Sequence, residues 1–315
     1  MVSFYVVSKR EKPEAILLMG ATATGKTDLA VKLAEKYPVE IISVDSALIY
    51  KDMDIGTAKP DAELLQRAPH FLIDILDPSQ RWSAWDFVKS ATNLISEITE
   101  RGNIPLLVGG TMMYFNALEQ GMNDLPMADE NLRLQLQQQL QDEGLEALFN
   151  ELKEIDPHTA SRVKPTDPQR ILRAIEVYRL SGKPMSELLQ QSKTAPCIDF
   201  KRLILEVPER AELHQRIEQR FNLMLEQGFE QEVVELRKRD DLNLELPSIR
   251  CVGYRQMWMY LDGNYSYQEM VNKSVVATRQ LAKRQLTWLR KYENVKRLDY
   301  QAYSFDDVCQ YIGLK

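Results

Sequence analysis

The sequence predicts an α/β fold, in which a parallel sheet flanked by helices forms a phosphate-loop core and an all-helical segment is inserted into it. In two parts of the chain, short apolar runs alternate with amphipathic stretches, which is the pattern of a parallel sheet with helices on both faces. Between these parts, strand-like runs disappear and only helical spacing remains. The predicted boundaries are 12–122 and 200–315 for the core, and 123–199 for the helical insertion domain.

Composition narrows the possible functions. The chain has 315 residues, of which 44% are hydrophobic, so it can bury a large core in one domain with an insertion or in two domains. Its net charge of −6 gives no global positive field, and a nucleic-acid site would have to be a local patch. Three dispersed cysteines and three histidines, without C-x-x-C, argue against a disulfide framework or a structural zinc.

Nothing in the sequence indicates a membrane protein. The stretch MVSFYVVSKREKPE at the start has a short apolar run and no cleavage-site pattern, which favours a lead-in segment over a signal peptide. No run approaches the length of a membrane span. We therefore expect a cytoplasmic protein without a membrane partner.

The first strand is predicted at 15–19 and leads into GATATGKT, which fits the phosphate-loop signature G-x-x-x-x-G-K-[ST]. A helical pattern follows, so that unpaired N–H groups and the helix dipole would face an anion at the turn. Lys26 would bring a positive charge to the terminal phosphate, and the Thr27 hydroxyl would ligate Mg²⁺. The predicted diphosphate-binding residues are Gly20, Ala21, Thr22, Ala23, Thr24, Gly25, Lys26 and Thr27.

Two further buried strands end in residues of interest. Val39–Val44 is followed by Asp45, and a carboxylate at the carboxyl end of a parallel strand lies near the ligand crevice. The alternative, that Asp45 only ends the strand or caps a turn, stays open at this point. The run 104–108 is followed by Gly109-Gly110-Thr111, where ATP-hydrolysing relatives usually carry a magnesium-organising Asp. Glycines there permit a substrate to approach the backbone closely.

The remaining elements follow from capping and spacing. A short strand is predicted at 71–75, and a capping box opens a helix over 83–101. A strand is predicted at 200–207, with a long helix beginning at Pro208. Another capping box, at 266–269, opens a last long helix whose second half is predicted to be 279–297.

Three groups of basic residues allow two interpretations each. The insertion helix that begins at Asp167-Pro168 carries several arginines, which form either a solvated face or an RNA contact. Arg216 and Arg220, four residues apart, either form surface ion pairs or reach back to a phosphate, which a guanidinium binds through paired donors. The run 279–297 has seven basic residues, one acidic residue and interleaved aromatics. That density in an acidic chain favours an RNA surface over a solvated face with core contacts.

Six motifs carry a resemblance to a known family. They are GATATGKT, ISVDSALIYKDMDIGTAKP, LLVGGTMMYF, DPQRILRAIEVY, LPSIRCVGYRQMW and TRQLAKRQLTWLR. In this order, over about 15–290, the chain resembles the tRNA dimethylallyltransferases, also called tRNA isopentenyltransferases, in their bacterial form without a zinc finger. The resemblance implies transfer of a dimethylallyl group from dimethylallyl diphosphate to N6 of the adenosine directly 3′ of the anticodon, in tRNAs that read codons beginning with U.

The resemblance also implies residue roles. Asp45 would accept the N6 proton, Thr111 would orient the amine or the tRNA, and Lys26 and Arg220 would stabilise the departing diphosphate with a Mg²⁺ on Thr27. The helical insertion would hold the tRNA anticodon loop from one side, and we expect a monomer. The implied tRNA contacts are Asp45, Ser46, Ala47, Leu48, Thr111, Arg133, Gln169, Arg170, Ile171, Leu172, Arg173, Arg250, Cys251, Val252, Gly253, Tyr254, Arg255, Lys283, Arg284, Gln285, Leu286, Thr287, Trp288, Leu289 and Arg290.

Other functions share parts of this pattern. A small-molecule or nucleoside kinase of the phosphate-loop class has the first motif, but the missing strand-tip Asp and the basic C-terminal helix count against it. A non-catalytic RNA-binding protein could keep the loop without using it. A transferase that acts on free adenine nucleotides is a further alternative, but the helical insertion and the arginine-rich segments favour a macromolecular acceptor.

Overall fold

The structure is a computed structural model that describes residues 13–314. The chain forms two compact units. The core unit comprises the chain up to Ala117 together with the chain from Cys197 onwards, and the helical unit is Leu118–Pro196. Apart from its last two residues, the predicted N-terminal lead-in lies outside the described residues.

Six parallel strands form one sheet in the order β3-β2-β4-β1-β5-β6. Its centre, β1, reads as a continuous apolar run because both faces are covered. The predicted α/β fold with a parallel sheet is confirmed. The strands are β1 (Glu14–Met19), β2 (Val39–Val44), β3 (His70–Phe71), β4 (Ile104–Gly109), β5 (Asp199–Glu206) and β6 (Lys296–Asp299).

Helices surround the sheet in the core unit and make up the helical unit. Ser83 and Ser266 form the predicted capping boxes. In chain order the helices are α1 (Lys26–Lys36), α2 (Ala62–Arg67), α3 (Ala84–Glu100), α4 (Met112–Gln120), α5 (Glu130–Ile155), α6 (Pro157–Ala160), α7 (Pro168–Ser181), α8 (Met185–Leu188), α9 (Arg210–Glu226), α10 (Phe229–Arg237), α11 (Tyr254–Leu261), α12 (Tyr267–Leu289) and α13 (Phe305–Ile312).

Two predicted elements differ in extent. The short strand expected at 71–75 is reduced to β3, because Leu72 (φ 62°) and Asp74 (φ 55°) adopt left-handed backbone that ends the ladder. The last long helix ends at Leu289 instead of continuing to 297. Asn294, at φ 51°, redirects the chain there, and the basic run continues as the edge strand β6.

An aromatic cluster fixes the loop that follows β2. Phe229 meets Phe221 and Tyr254 edge to face, with ring centroids 6.2 and 5.0 Å away. Gly56 packs against this cluster so closely that a Cβ on it would overlap the Phe229 ring. Only glycine permits this approach, and the loop 53–60 is therefore held against α10 and α11.

The helical unit has a core of its own. Leu136, Leu148 and Ile171 are buried in it, and Gly144, at φ 81°, kinks α5. As predicted, Asp167 caps α7, Pro168 is its first residue and Gly182 ends it. Within residues 13–314, none of the helices combines the length and apolar character that a membrane span requires.

Candidate active site

A cavity of about 530 Å³ lies in the core unit, at the carboxyl ends of β2 and β4 and beside the loop after β1. The position agrees with the rule that ligands of open α/β sheets bind beyond the strand carboxyl ends. The cavity brings together four predicted site residues that are far apart in the sequence: Lys26, Asp45, Thr111 and Arg220.

The phosphate loop turns sharply from β1 into α1. Gly25 caps α1 at φ 90°, a conformation that costs glycine no steric strain. The Thr24 hydroxyl donates to the Ala21 carbonyl at 2.9 Å, and the Lys26 ammonium donates to the same carbonyl at 2.7 Å. The loop is thereby closed around one carbonyl, with the first-turn N–H groups of α1 at its open end.

Two arginines of α9 reach the phosphate loop. Arg220 donates to the Thr22 hydroxyl at 3.1 Å and to the Thr57 carbonyl at 3.3 Å. Arg216 donates from Nε to the Ala23 carbonyl at 2.7 Å, and its guanidinium lies 4.4 Å from the centre of the Tyr300 ring. The surface ion-pair interpretation of these arginines is therefore wrong, because both side chains turn inward. Arg216 is a loop contact that was not among the predicted site residues.

The charges of the site influence one another. Burial, together with the nearby Arg220, lowers the pKa of Lys26 to about 7, although the Asp45 carboxylate opposes this shift. Burial also lowers the pKa of Arg220, again with Asp45 acting in the opposite direction. Burying two neighbouring cations is energetically unfavourable unless negative charge lies nearby. Asp45 supplies part of that charge, and an anionic ligand would stabilise both Lys26 and Arg220 further.

Asp45 is oriented by its own loop. Its Oδ1 accepts the Ala47 N–H at 2.8 Å, while Oδ2 makes no hydrogen bond within the described residues. Thr111 fastens this loop to the tip of β4, because its hydroxyl accepts the Ser46 N–H at 3.1 Å and its N–H donates to the Val44 carbonyl at 3.2 Å. Oδ1 of Asp45 thus caps the turn, as the alternative interpretation proposed, while Oδ2 is available to a ligand.

Glu232, which no sequence motif marks, holds two lining segments together. Its Oε2 accepts the N–H groups of Asp54 at 2.9 Å and Ile55 at 2.7 Å. Its Oε1 accepts the Gly56 N–H at 3.1 Å and the Tyr254 hydroxyl at 2.5 Å. One carboxylate thereby joins the loop 54–57 to the segment 251–254, and both segments line the cavity.

The predicted RNA contacts on α12 divide by helical face. Lys283, Arg284, Thr287, Trp288 and Arg290 are exposed, and Arg284 and Trp288 line the cavity. Leu289 is 1% exposed and Gln285 8%, since residues 282, 285 and 289 form the inner face. The Leu289 side chain therefore packs inward, and RNA contact by this residue stays a prediction that its side chain does not support.

The segment 248–255 divides in the same way. The side chains of Arg250 and Arg255 are exposed and make no hydrogen bond or ion pair within residues 13–314. Tyr254 is fully buried, with its hydroxyl used by Glu232, which contradicts RNA contact by that side chain. Cys251 lines the cavity, and burial raises the pKa of its thiol to about 12, so this side chain remains neutral.

In the helical unit, the predicted RNA residues have mixed environments. Arg133 and Arg173 both bind the buried Glu176 carboxylate, at 2.9 and 2.6 Å. Ile171 is a core residue at 0% exposure, so its side chain does not support the predicted RNA contact, which stays a prediction for this residue. Gln169 and Arg170 are exposed, and within residues 13–314 the only ion pair of Arg170 is with its helix cap Asp167.

The cavity offers hard oxygen ligands for a divalent cation. Thr27, at the start of α1, and Ser43, on β2, both line it. The Ser43 hydroxyl is buried and has no hydrogen-bond partner in the part of the chain that the structure describes. Among the described residues there is no cluster of three or more histidines, cysteines or carboxylates that could hold a metal ion alone. The site therefore fits Mg²⁺, which keeps several water and phosphate ligands, better than a metal that requires a protein cage.

Comparison with known proteins decides the family. A protein-family model described as IPP transferase matches residues 48–292. The chain belongs to the IPP transferase family. This membership, together with the prenyltransferase structures that it resembles, makes the protein a prenyl-transferring enzyme.

Three solved structures are similar over most of the chain. The full-length tRNA isopentenylpyrophosphate transferase of Bacillus halodurans is 37% identical with a TM-score of 0.69, and the match covers 96% of this chain and 95% of that one. The tRNA delta(2)-isopentenylpyrophosphate transferase of Staphylococcus epidermidis is 33% identical with a TM-score of 0.69, covering 96% and 99%. A eukaryotic dimethylallyltransferase acting on tRNA is 28% identical with a TM-score of 0.77, covering 91% and 74%.

Proposed function

We propose that this IPP transferase moves a dimethylallyl group from dimethylallyl diphosphate to N6 of the adenosine directly 3′ of the anticodon, in tRNAs that read codons beginning with U, and releases diphosphate. The observation that carries the proposal is the single cavity shared by Lys26, Arg220, Asp45 and Thr111. The names of the similar enzymes support tRNA as the acceptor.

The phosphate loop suits the leaving group. When the allylic C–O bond breaks, negative charge grows on the departing diphosphate, so fixed cations there stabilise the transition state more than the ground state. Lys26 and Arg220 are such cations, since each is already anchored to the loop by hydrogen bonds. A Mg²⁺ bound by the Thr27 hydroxyl would add further positive charge to the diphosphate oxygens.

The tip of β2 suits the nucleophile. The exocyclic amine of adenine is weakly nucleophilic because its lone pair is delocalised, so the reaction depends on positioning and on removal of a proton. Asp45 would accept the N6 proton through Oδ2, because Oδ1 is occupied by the Ala47 N–H. Thr111 positions this loop through Ser46 and would orient the amine.

The exposed cations around the cavity suit RNA. Arg250, Arg255 and Arg284 are free of internal ion pairs among the described residues, and the first and last of these line the cavity. A loop adenine can leave its stack for a few kcal/mol and enter such a pocket. We also propose that the exposed residues of the helical unit contact the anticodon loop, and that the enzyme is a cytoplasmic monomer.

The experiment is incubation with dimethylallyl diphosphate, Mg²⁺ and bulk tRNA that lacks the modification, followed by mass analysis of the nucleosides. We expect one adenosine species to gain a dimethylallyl group, and a parallel reaction with free adenine nucleotides to give no product. A protein that ignores the prenyl diphosphate but consumes ATP with a small acceptor would instead be the kinase considered above.

A further inference from the structure

Gln285 is a buried polar residue on the inner face of α12. It is 8% exposed, with Ala282 and Leu289 beside it on the same face. Both polar atoms of its amide are used. Its Oε1 accepts the Thr22 N–H at 2.9 Å, and its Nε2 donates to the Gly110 carbonyl at 2.9 Å. The side chain therefore spans from the phosphate loop to the tip of β4.

The strand tip is shaped around this amide. A Cβ at Gly110 would overlap Gln285 Nε2, closer to it than two such atoms can approach. Without a Cβ at this position, the amide can occupy the place in which it donates to the Gly110 carbonyl, and a larger residue would displace it. The same reasoning explains one glycine of the Gly109-Gly110-Thr111 tip, where the sequence alone suggested close approach by a substrate.

The two hydrogen bonds of the Gln285 amide form a bridge, and its two ends lie next to residues with different proposed roles in the reaction. On one side, the Thr22 hydroxyl accepts from Arg220, which would stabilise the departing diphosphate. On the other side, Gly110 precedes Thr111, whose hydroxyl accepts the Ser46 N–H next to Asp45. One amide thereby connects the half that holds the leaving group to the half that holds the acceptor amine.

We propose that Gln285 is a positioning residue that sets the separation between the diphosphate loop and the strand tip, and so the approach of the amine to the allylic carbon. This inference rests on the proposed function. Transfer between two bound substrates depends steeply on their separation, and a displacement of about 1 Å can cost about 10²-fold in rate. Each half should still bind its own substrate, because the other contacts within each half do not involve Gln285.

The chemistry of the side chain restricts what can replace it. An amide carries both an acceptor and a donor, and the bridge uses one of each. In Gln285→Glu, a carboxylate oxygen would face the Gly110 carbonyl oxygen, with repulsion in place of a hydrogen bond. In Gln285→Met, the volume is nearly kept and both hydrogen bonds are lost.

The test compares rate with binding. Wild type, Gln285→Met and Gln285→Glu are assayed for kcat with saturating tRNA and dimethylallyl diphosphate, and separately for Kd of tRNA, Kd of inorganic pyrophosphate and Tm. We expect kcat of both variants to fall by about 10- to 100-fold. For Gln285→Met, both Kd values should stay within about threefold of wild type, while Gln285→Glu should also weaken pyrophosphate because it adds a negative charge.

Two further variants make the result decisive. Ser274→Ala changes another buried polar residue of α12 that does not line the cavity, and we expect its kcat to be unchanged. Gly110→Ala disrupts the same bridge from the other end, because the added Cβ would displace the Gln285 amide. This variant replaces Gln285→Met in the test if Gln285→Met does not fold. We expect it to lower kcat without weakening tRNA binding.

The outcomes separate the inference from the proposed function. An active wild type with equally active Gln285 and Gly110 variants overturns the inference alone. A loss of tRNA affinity as large as the loss of kcat also overturns it, because Gln285 would then act through RNA binding. A wild type that transfers nothing to tRNA overturns the proposed function, and the inference with it.

Discussion

Lys26 is a phosphate-loop lysine whose charge depends on its ligand. Burial and the neighbouring Arg220 lower its pKa to about 7, so in the free protein the ammonium loses its proton as the pH rises through 7. An anionic diphosphate favours the charged form, and binding above pH 7 therefore requires proton uptake. By linkage, the affinity for inorganic pyrophosphate, taken relative to a variant whose residue 26 stays charged, should fall as pH rises from 7 to 9, by up to about tenfold per pH unit.

The variant Lys26→Arg is the control for this prediction, because a guanidinium stays charged over the whole range. Pyrophosphate itself loses a proton in this range, so the ratio of wild-type to variant affinity, measured by calorimetry, isolates the effect of Lys26 and should fall from pH 7 to 9. Parallel pH profiles for the two proteins would contradict the shifted pKa of Lys26.

Asp45 can be tested without disturbing the loop that orients it. Asp45→Asn keeps an oxygen for the Ala47 N–H and removes the base, whereas Asp45→Ala removes both. We expect each to lower single-turnover transfer by about 10²-fold or more, the usual effect of losing a general base. Both variants should still bind tRNA in a filter assay. An Asn variant as active as wild type would rule out the base assignment.

At the scale of elements, Glu232 of α10 joins the loop 54–57 to the segment 251–254. Three backbone N–H groups and the Tyr254 hydroxyl converge on its carboxylate. In Glu232→Gln, the amide nitrogen would face N–H donors, so at least one of these bonds is replaced by a donor–donor contact. We expect a loss of about 2 kcal/mol in unfolding free energy, measured in urea, since hydrogen bonds to charged groups are worth about 1.5–3 kcal/mol.

The matched control is Glu235→Gln on the same helix. Glu235 is exposed and pairs with Lys238 across one turn, and such surface pairs contribute about 0–1 kcal/mol. Tyr254→Phe should fall between the two, because it removes one of four hydrogen bonds. Equal stabilities for the Glu232 and Glu235 variants would contradict the role given to Glu232.

Most elements could be predicted from sequence because their signals are local. The capping boxes at Ser83 and Ser266 and the Gly-rich turn before α1 need only neighbouring residues to be recognised. The edge strand β6 was missed because it lies inside a basic run that continues the composition of α12, and its pairing with β5 is a distant contact.

The candidate site shows the same division. The phosphate loop and Asp45 follow from motif and strand position. Helical spacing left a phosphate contact by Arg216 and Arg220 open, and the resemblance selected Arg220. Glu232 and Gln285 act through contacts with residues more than 170 positions away in sequence. No motif marks Glu232, and the resemblance gave Gln285 a tRNA contact, not a link between the phosphate loop and the strand tip. Helical periodicity could have separated Gln285 and Leu289 from Arg284 and Trp288, since 282, 285 and 289 recur on one face of α12.

At the scale of the whole molecule, an acidic chain must attract an RNA through local charge. The net charge is −6, yet Lys283, Arg284 and Arg290 of the exposed face of α12 make no ion pair within residues 13–314. When cations that are unpaired in the protein neutralise RNA phosphates, the counterions of those phosphates are released, and binding therefore depends on salt concentration. Arg133 and Arg173 differ, because Glu176 already neutralises part of their charge.

This contrast leads to a prediction for tRNA binding. The triple change Lys283→Ala, Arg284→Ala and Arg290→Ala should weaken tRNA binding and reduce the slope of log K against log salt by about two, since each lost phosphate contact contributes about 0.7–0.9. The control is the same triple change at Lys32, Lys89 and Lys238, which alters net charge equally on α1, on α3 and at the end of α10, and its slope should match wild type. Equal slopes for the two triple variants would show that long-range charge, and not this face of α12, attracts the RNA.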